Sequence, residues 1–511
     1  MPIVMQPTPD TPVRVAPPVA STGIPGLDSI LQGGLPREEM HLLQGVAGTG
    51  KTTIALQYLL EGVRTGEPTL YVTLSQSKVH LERIASSHGW RLQGMGIYEL
   101  SPGTVAERIA SRQSILPTAE VELEVVFREL MKLVESIGPR RSVIDSITIL
   151  QLLAGNAARY HREVVTLRQL FVERGCTVLV LADHPAVTQE GQAPEVIFHP
   201  LCGCVMNLEQ TPRPYGDVRR QLRVVKARGM PNNGGYHDFK IFTGRTEVFP
   251  RLGAYATAEH SDYRPITTMV QGLDALLNGG LNSGTSCLIV GPSGVGKSAI
   301  ASLYADSVAR AGGHAAIFLM DERPETYLVR SEGLGIPLRS HSEEGRILIR
   351  QIDPGEIAPG EFAQQVRQLV EEQATQVVVI DSVIGYFAAM GSADVLVTQL
   401  HELMTYLTRR GVLLLLCGAQ EGFMSIGVQD AVDVSYLSDT ILALTFFEFE
   451  GELRRAIAVV KKKHGPHSSA IHELTLSSQQ IQIGSQLRQF ENLMIPSHAF
   501  SPRSAENGNL G

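Results

Sequence analysis

Cysteine is scarce in the 511-residue chain: there are five, Cys176, Cys202, Cys204, Cys287 and Cys417. An odd number cannot fully pair, and most sit in apolar runs, so a disulfide framework is not expected and a reducing compartment is implied. Basic charge is not in excess either. Forty-four lysines and arginines face 52 acids, a net charge of -8, which gives duplex DNA or an anionic lipid surface nothing to pull on. No nucleic-acid or membrane partner is therefore expected. No apolar run reaches the ~20 residues that span a bilayer, and the first twenty residues carry six prolines without an apolar core. These absences lead to an expectation of a soluble, cytoplasmic protein. What is present is core-forming material: 43% hydrophobic against 19% charged residues argues against global disorder.

The chain repeats itself. GLDSILQGGL from Gly26 to Leu35 returns as GLDALLNGGL from Gly272 to Leu281, a shift of 246 positions. The same shift carries GVAGTGKTT (Gly45 to Thr53) onto GPSGVGKSA (Gly291 to Ala299), and LYVTL at 70–74 onto AIFLM. Farther on, SVIDS with Asp145 matches VVVIDS with Asp381, and Lys226 matches Lys461, at shifts of 236 and 235. The spacing predicts two copies of one domain, 21–252 and 266–486. The polar stretch 253–265 reads as a linker, and the head (1–20) and tail (487–511) lie outside the repeat, the tail as a helix and terminal peptide. The proline-rich head and the last residues, 501–511, cannot bury enough surface to order themselves. Within each copy, short apolar runs alternate with helical stretches, the pattern of a mostly parallel, doubly wound α/β sheet.

Both copies contain a phosphate cradle. Gly45 to Thr52 and Gly291 to Ser298 each fit G-x-x-x-x-G-K-[ST] between an apolar strand and a helix. Glycines let successive N–H groups turn inward onto phosphate oxygens, and the helix N-terminus adds its positive end. The expected nucleotide contacts are Gly48, Thr49, Gly50, Lys51, Thr52 and Thr53 in one copy, and Gly294, Val295, Gly296, Lys297, Ser298 and Ala299 in the other. The lysines would reach the β- and γ-phosphates, while the Thr52 and Ser298 hydroxyls would ligate Mg²⁺. Asp145 and Asp381 end apolar strands, where a carboxylate can hold Mg²⁺ through a water. A strand-end acid is often only a turn former, but two at matched positions favour the metal role.

GLD-x-x-L-x-G-G-L ahead of each glycine loop, IDS at the acidic strands, and two such domains in one chain resemble the KaiC family of circadian clock ATPases, within the RecA-like superfamily, over residues 21–495. The resemblance implies two tandem RecA-like P-loop NTPase domains, ATP and Mg²⁺ as ligands, and a double-ring homohexamer with nucleotide between neighbouring subunits. It further implies ATP hydrolysis in the first ring and autophosphorylation in the second, and adds Ser87 to the ATP contacts. The family places two adjacent glutamates after the strand that follows the glycine-loop helix. Asp321-Glu322 stand there in the second copy, as catalytic pair, with Asp321 also a candidate metal ligand; a solvated loop pair would look the same. In the first copy the position holds Ser75-Gln76. Glutamine can hydrogen-bond a water but cannot take its proton at neutral pH, so the first domain is expected to bind ATP and turn it over slowly, if at all.

Family members also send basic residues to a neighbour's phosphates. Lys226 and Arg228 match that pattern in the first copy; in the second, Lys461 and Lys463 take the place, with Arg455 upstream and His467 downstream. Lysine lacks the bidentate fork of arginine, and a KKKH run also fits a solvated basic patch. Aligned on the family's phosphorylation segment, SYLSDTI puts Ser435 and Tyr436 where Ser and Thr stand, so Ser435 is the expected phosphoacceptor and the longer tyrosine is not. The C-terminal segment 488–502 is short and differs from the family's tail, which argues against a KaiA partner and leaves room for a KaiB-like one on the first ring. Cys202-Gly203-Cys204 has no further ligand pair nearby and reads as core packing. Two other functions use the same parts: a DNA-dependent recombinase or helicase motor, opposed by the acidic balance, and a nucleotide-gated scaffold without kinase activity, favoured by Gln76 and opposed by Asp321-Glu322.

Overall fold

The computed structural model describes residues 18–100, 118–154, 156–183, 198–213, 216–255, 262–353, 355–390, 393–419, 436–478 and 480–488. It divides into two compact units, one of residues through Pro212 with Val218–Arg251, the other of Arg213–Asp217 with Leu252 onward.

The first unit contains β1 (Val19–Ala20), β2 (Leu35–Pro36), β3 (Met40–Gly45), β4 (Thr69–Thr73), β5 (Met95–Glu99), β6 (Arg141–Asp145), β7 (Thr177–Asp183), β8 (Cys204–Thr211), β9 (Arg219–Ala227), β10 (Tyr236–Phe242) and β11 (Arg245–Phe249). Strands β3 to β11 form one 9-stranded sheet in the order β11-β10-β9-β8-β3-β7-β6-β4-β5. Pairing from β8 through β3, β7, β6 and β4 to β5 is parallel, and β9 to β11 extend it antiparallel. The second unit contains β12 (Pro265–Ile266), β13 (Leu281–Asn282), β14 (Ser286–Gly291), β15 (His314–Leu319), β16 (Ile347–Gln351), β17 (Thr375–Asp381), β18 (Leu413–Ala419), β19 (Thr440–Phe449), β20 (Glu452–Lys462), β21 (His472–Ser477) and β22 (Gln480–Gln486). Its sheet runs β16-β15-β17-β18-β14-β19-β20-β21-β22, the same order strand for strand. Two tandem RecA-like α/β domains result.

Alternation along the central strands explains why both faces are covered. Leu43, Tyr71, Val143 and Leu179 pack with the helix Lys51–Arg64 on one face. Leu42, Leu70, Ile144 and Val178 pack with the helices Thr118–Ile137 and Ala157–Val172 on the other. The second sheet sends Ile289, Ile317 and Val379 toward the helix Lys297–Arg310, and Leu288, Phe318 and Val378 toward Pro359–Gln373 and Ala393–Arg409. Buried apolar strands of this kind need helices on both sides.

The GLD motif has a structural role. Asp28 accepts from the Thr22 backbone N–H at 2.7 Å and from the Ser21 and Thr22 hydroxyls, which fixes the turn into the short helix Pro25–Ile30. Asp274 repeats this with Thr268. Val19–Ala20, read from sequence as part of an unstructured head, form β1 instead: they pair with Leu35–Pro36, and Ala20 is wholly buried. At the start of the interior strand β6, Arg141 is 1% exposed and donates to Glu67 at 2.7 Å, while Glu67 also accepts from Arg37. Burial works to raise the Glu67 carboxyl, but the two arginines together outweigh it and hold the group down at about 2.

Candidate functional site

Each glycine loop joins the end of a central strand to a helix. Gly50 and Gly296, at φ +105° and +115°, adopt a backbone region that favours glycine, and a Cβ at Gly50 would meet Ile241 Cδ1 at 2.4 Å. Lys51, which opens its helix, curls back so that its ammonium donates to Gly45 O at 2.7 Å and Val46 O at 3.0 Å. Lys297 does the same with Gly291 O and Pro292 O at 2.8 and 2.9 Å, and burial pulls its pKa below the usual lysine range. Thr49 is buried and donates to Val46 O at 2.9 Å; Thr53, Val295 and Ala299 are buried beneath the loops.

The strand-end acids sit beside the loop hydroxyls. Burial raises Asp145, opposed by hydrogen bonds from Tyr71, at 2.6 Å, and from Thr52. Burial likewise raises Asp381, opposed first by the Ser298 hydroxyl and then by Arg330 and Lys297. A hydroxyl and a carboxylate therefore converge in each pocket, with a lysine at the loop. This is an oxygen donor set of the hardness Mg²⁺ prefers, next to a backbone cradle for phosphate, and the residues present fit a magnesium-bound triphosphate.

Around these groups the pockets differ. In the second, Asp321 accepts from Ser382 Oγ at 2.6 Å, and Glu322 is paired with Arg330 Nη1 at 2.8 Å. Room for Asp321 depends on Gly385, where a Cβ would lie 2.7 Å from its carboxylate. In the first, Ser75 is exposed, and Gln76 is tied through its backbone to Thr73 Oγ1 while its side-chain Oε1 is buried with no hydrogen-bond partner. A carboxylate absent from the sequence reading stands there too: Asp183, at the end of β7, lies 3.0 Å from Lys51 Nζ. Tyr71 and Arg330 were also not read from the sequence.

The basic residues are at the far end of the sheets. Lys226 lies opposite Val205, which lies beside Leu42, so about 10 Å of strand separates it from Gly45. It donates to His199 O at 2.5 Å, while exposed Arg228 donates to Pro200 O at 3.0 Å. Lys461 occupies the matching place opposite Ile441, and Lys463 pairs with Asp439 at 3.1 Å. Arg455 does not join them. It faces Phe446, at the phosphate-loop end of β20, about 20 Å up the strand from Lys461. His467 is half-buried beyond β20, and Ser87 ends the helix Lys78–Ser87, with its hydroxyl donating to Ile84 O at 2.7 Å. Ser435 falls outside the described residues. Cys202 and Cys204 are fully buried, and burial pushes their thiols up to about 12, as core packing requires.

Two doubly wound sheets, each with a glycine loop and a facing strand-end aspartate, define a tandem RecA-like P-loop protein. The KaiC ATPase family model matches residues 20–253 and again 266–488, so the chain belongs to the KaiC family. The circadian clock oscillator protein KaiC of Acaryochloris marina is 25% identical over 93% of this chain and 90% of its own length. That of Prochlorococcus marinus is 26% identical over 95% of both. The circadian clock protein KaiC2 of Synechocystis is 25% identical over 89% of this chain and 80% of its own length. Among the described residues no helix is long and apolar enough to cross a membrane.

Proposed function

We propose that this chain is an ATP-binding signalling protein whose ATP hydrolysis and serine autophosphorylation are centred on the second domain, the first domain serving mainly to bind nucleotide and form a ring. The observation that carries this reading is the asymmetry after the second core strand: Asp321-Glu322 in one pocket, Ser75-Gln76 in the other. Phosphoryl transfer needs a group to receive the proton of the attacking hydroxyl, and a carboxylate can do so where a carboxamide cannot. In the kinase step the Ser435 oxygen forms a bond to Pγ, the bond from Pγ to the bridging oxygen breaks toward ADP, and the hydroxyl proton passes to Glu322. Lys297 orients the β- and γ-phosphates; Ser298, Asp381 and Asp321 would hold Mg²⁺, which when bound offsets charge developing on the transferred group.

Lys226, Arg228, Lys461 and Lys463 stand too far from the loop of their own sheet to serve it. This supports a ring in which they reach a neighbour's nucleotide, as in a homohexamer. Incubation with γ-labelled ATP tests the kinase reading: label is expected on the wild-type chain and not on Ser435→Ala, and equal labelling of both would remove Ser435 from the reaction. For the first domain alone, Gln76 also favours a nucleotide-gated scaffold.

A further inference from the structure

Each pocket has an exposed carboxylate, supplied by a different strand. In the second it follows β15, as Asp321-Glu322. In the first that position is neutral, and an acid stands at the end of β7 instead. The sheet order β3-β7-β6 puts this strand between the one that leads into the glycine loop and the one that ends in Asp145. Asp183 lies opposite Gly45 in the pairing with β3, and Leu181 lies opposite Asp145 in the pairing with β6. A γ-phosphate held by Lys51 and a cation held by Asp145 would meet at this strand end. The corresponding residue of the second domain, opposite Gly291, is Ala419. Each domain thus has an acid where the other has a neutral side chain.

Asp183 is also placed for chemistry. Its Oδ1 is 3.0 Å from Lys51 Nζ and its Oδ2 3.4 Å from Ser146 Oγ, while its backbone N–H donates to Thr148 Oγ1 at 3.1 Å. The side chain is 53% exposed, so a proton taken there can leave to solvent. Asp145 is a poorer acceptor in this role, because it is buried and already receives hydrogen bonds from Tyr71 and Thr52.

We propose that Asp183 is the proton acceptor for slow ATP hydrolysis in the first pocket. The inference rests on the reading of that pocket as an ATP site. A water oxygen forms a bond to Pγ, the bridging P–O bond breaks with its electron pair leaving on ADP, and a water proton passes to the Asp183 carboxylate and then to bulk. Gln76, at the neutral position after β4, cannot take that proton. The family's acid pair after the second core strand is thus replaced by a base on another strand.

The test uses the full chain carrying Lys297→Ala, which silences the second pocket, with two readouts: ADP formation and the affinity for a non-hydrolysable ATP analogue. The background variant is expected to retain slow turnover. Adding Asp183→Asn is expected to lower it at least 30-fold while analogue affinity stays the same or tightens, since Lys51 loses a competing carboxylate. Asp183→Glu, which keeps the acid, should recover part of the rate and also controls for misfolding. Turnover that persists in Asp183→Asn with only the affinity moved would make Asp183 a lysine partner and nothing more, and overturn the proposal. So would a background variant that binds the analogue but forms no ADP. Failure of the analogue to bind the first pocket at all would instead bring down the reading of that pocket as a nucleotide site, and the proposal with it.

Discussion

Glu322→Gln separates chemistry from architecture in the second pocket. Glu322 is 25% exposed and its partner Arg330 43% exposed, so their ion pair at 2.8 Å is a surface interaction. Pairs of this kind contribute about 0–1 kcal/mol, and the substitution should leave folding nearly unchanged. If the carboxylate receives the proton in the transition state, its loss should cost about 10²–10⁴ in rate. That corresponds to roughly 3–5 kcal/mol on the barrier. The two effects differ enough for one experiment to distinguish them. The assay is ADP formation at saturating ATP in a Lys51→Ala background, so that only the second pocket contributes, with thermal melting in parallel. Arg330→Met is the control: it breaks the same ion pair, keeps the carboxylate, and should lose less than tenfold. A Glu322→Gln rate within twofold of its parent, or equal losses in the two variants, would refute the assignment of Glu322 as base.

Two further outcomes follow from the first domain's interior. Glu67→Gln leaves Arg141, 1% exposed, without its charged partner and should destabilise that domain by about 3–5 kcal/mol, measured by denaturant unfolding. His41 is wholly buried, its Nε2 donating to Pro36 O and its Nδ1 accepting from the Cys204 N–H, and burial holds its pKa down at about 4. The unfolded chain binds that proton from about pH 6.5 downward while the folded one does not, so the contribution is present above 6.5 and lost as pH falls toward 4. Acidification across this window should remove roughly 3 kcal/mol, and His41→Gln should flatten that slope in a stability-versus-pH series.

Much of this was legible in the chain because it is local. The duplicated GLD segments, the two glycine loops and the strand-end aspartates are short motifs whose residue types are dictated by backbone conformation and phosphate chemistry, and the sheets grow from apolar runs readable one at a time. What remained hidden depends on strand order. TVLVLAD has the same apolar-run-then-acid pattern as SVID, yet only the insertion of β7 between β3 and β6 brings Asp183 to Lys51. Tyr71 reads as a core aromatic until the register puts Thr73 opposite Asp145 and its hydroxyl within reach of the carboxylate. Arg455 and Lys461 are near neighbours in sequence but stand at opposite ends of one extended strand, so sequence proximity grouped residues that the sheet separates. The role of Asp28 was concealed for a related reason: a motif that marks the family need not touch the ligand, and this one fixes a turn.

The most direct measurement compares Lys51→Ala and Lys297→Ala side by side for bound nucleotide per chain and for ATP turnover. Each variant should lose one of two bound nucleotides, with most of the turnover disappearing in Lys297→Ala and most surviving in Lys51→Ala. Turnover that survives in Lys297→Ala and collapses in Lys51→Ala would contradict the assignment of the reactive pocket to the second domain.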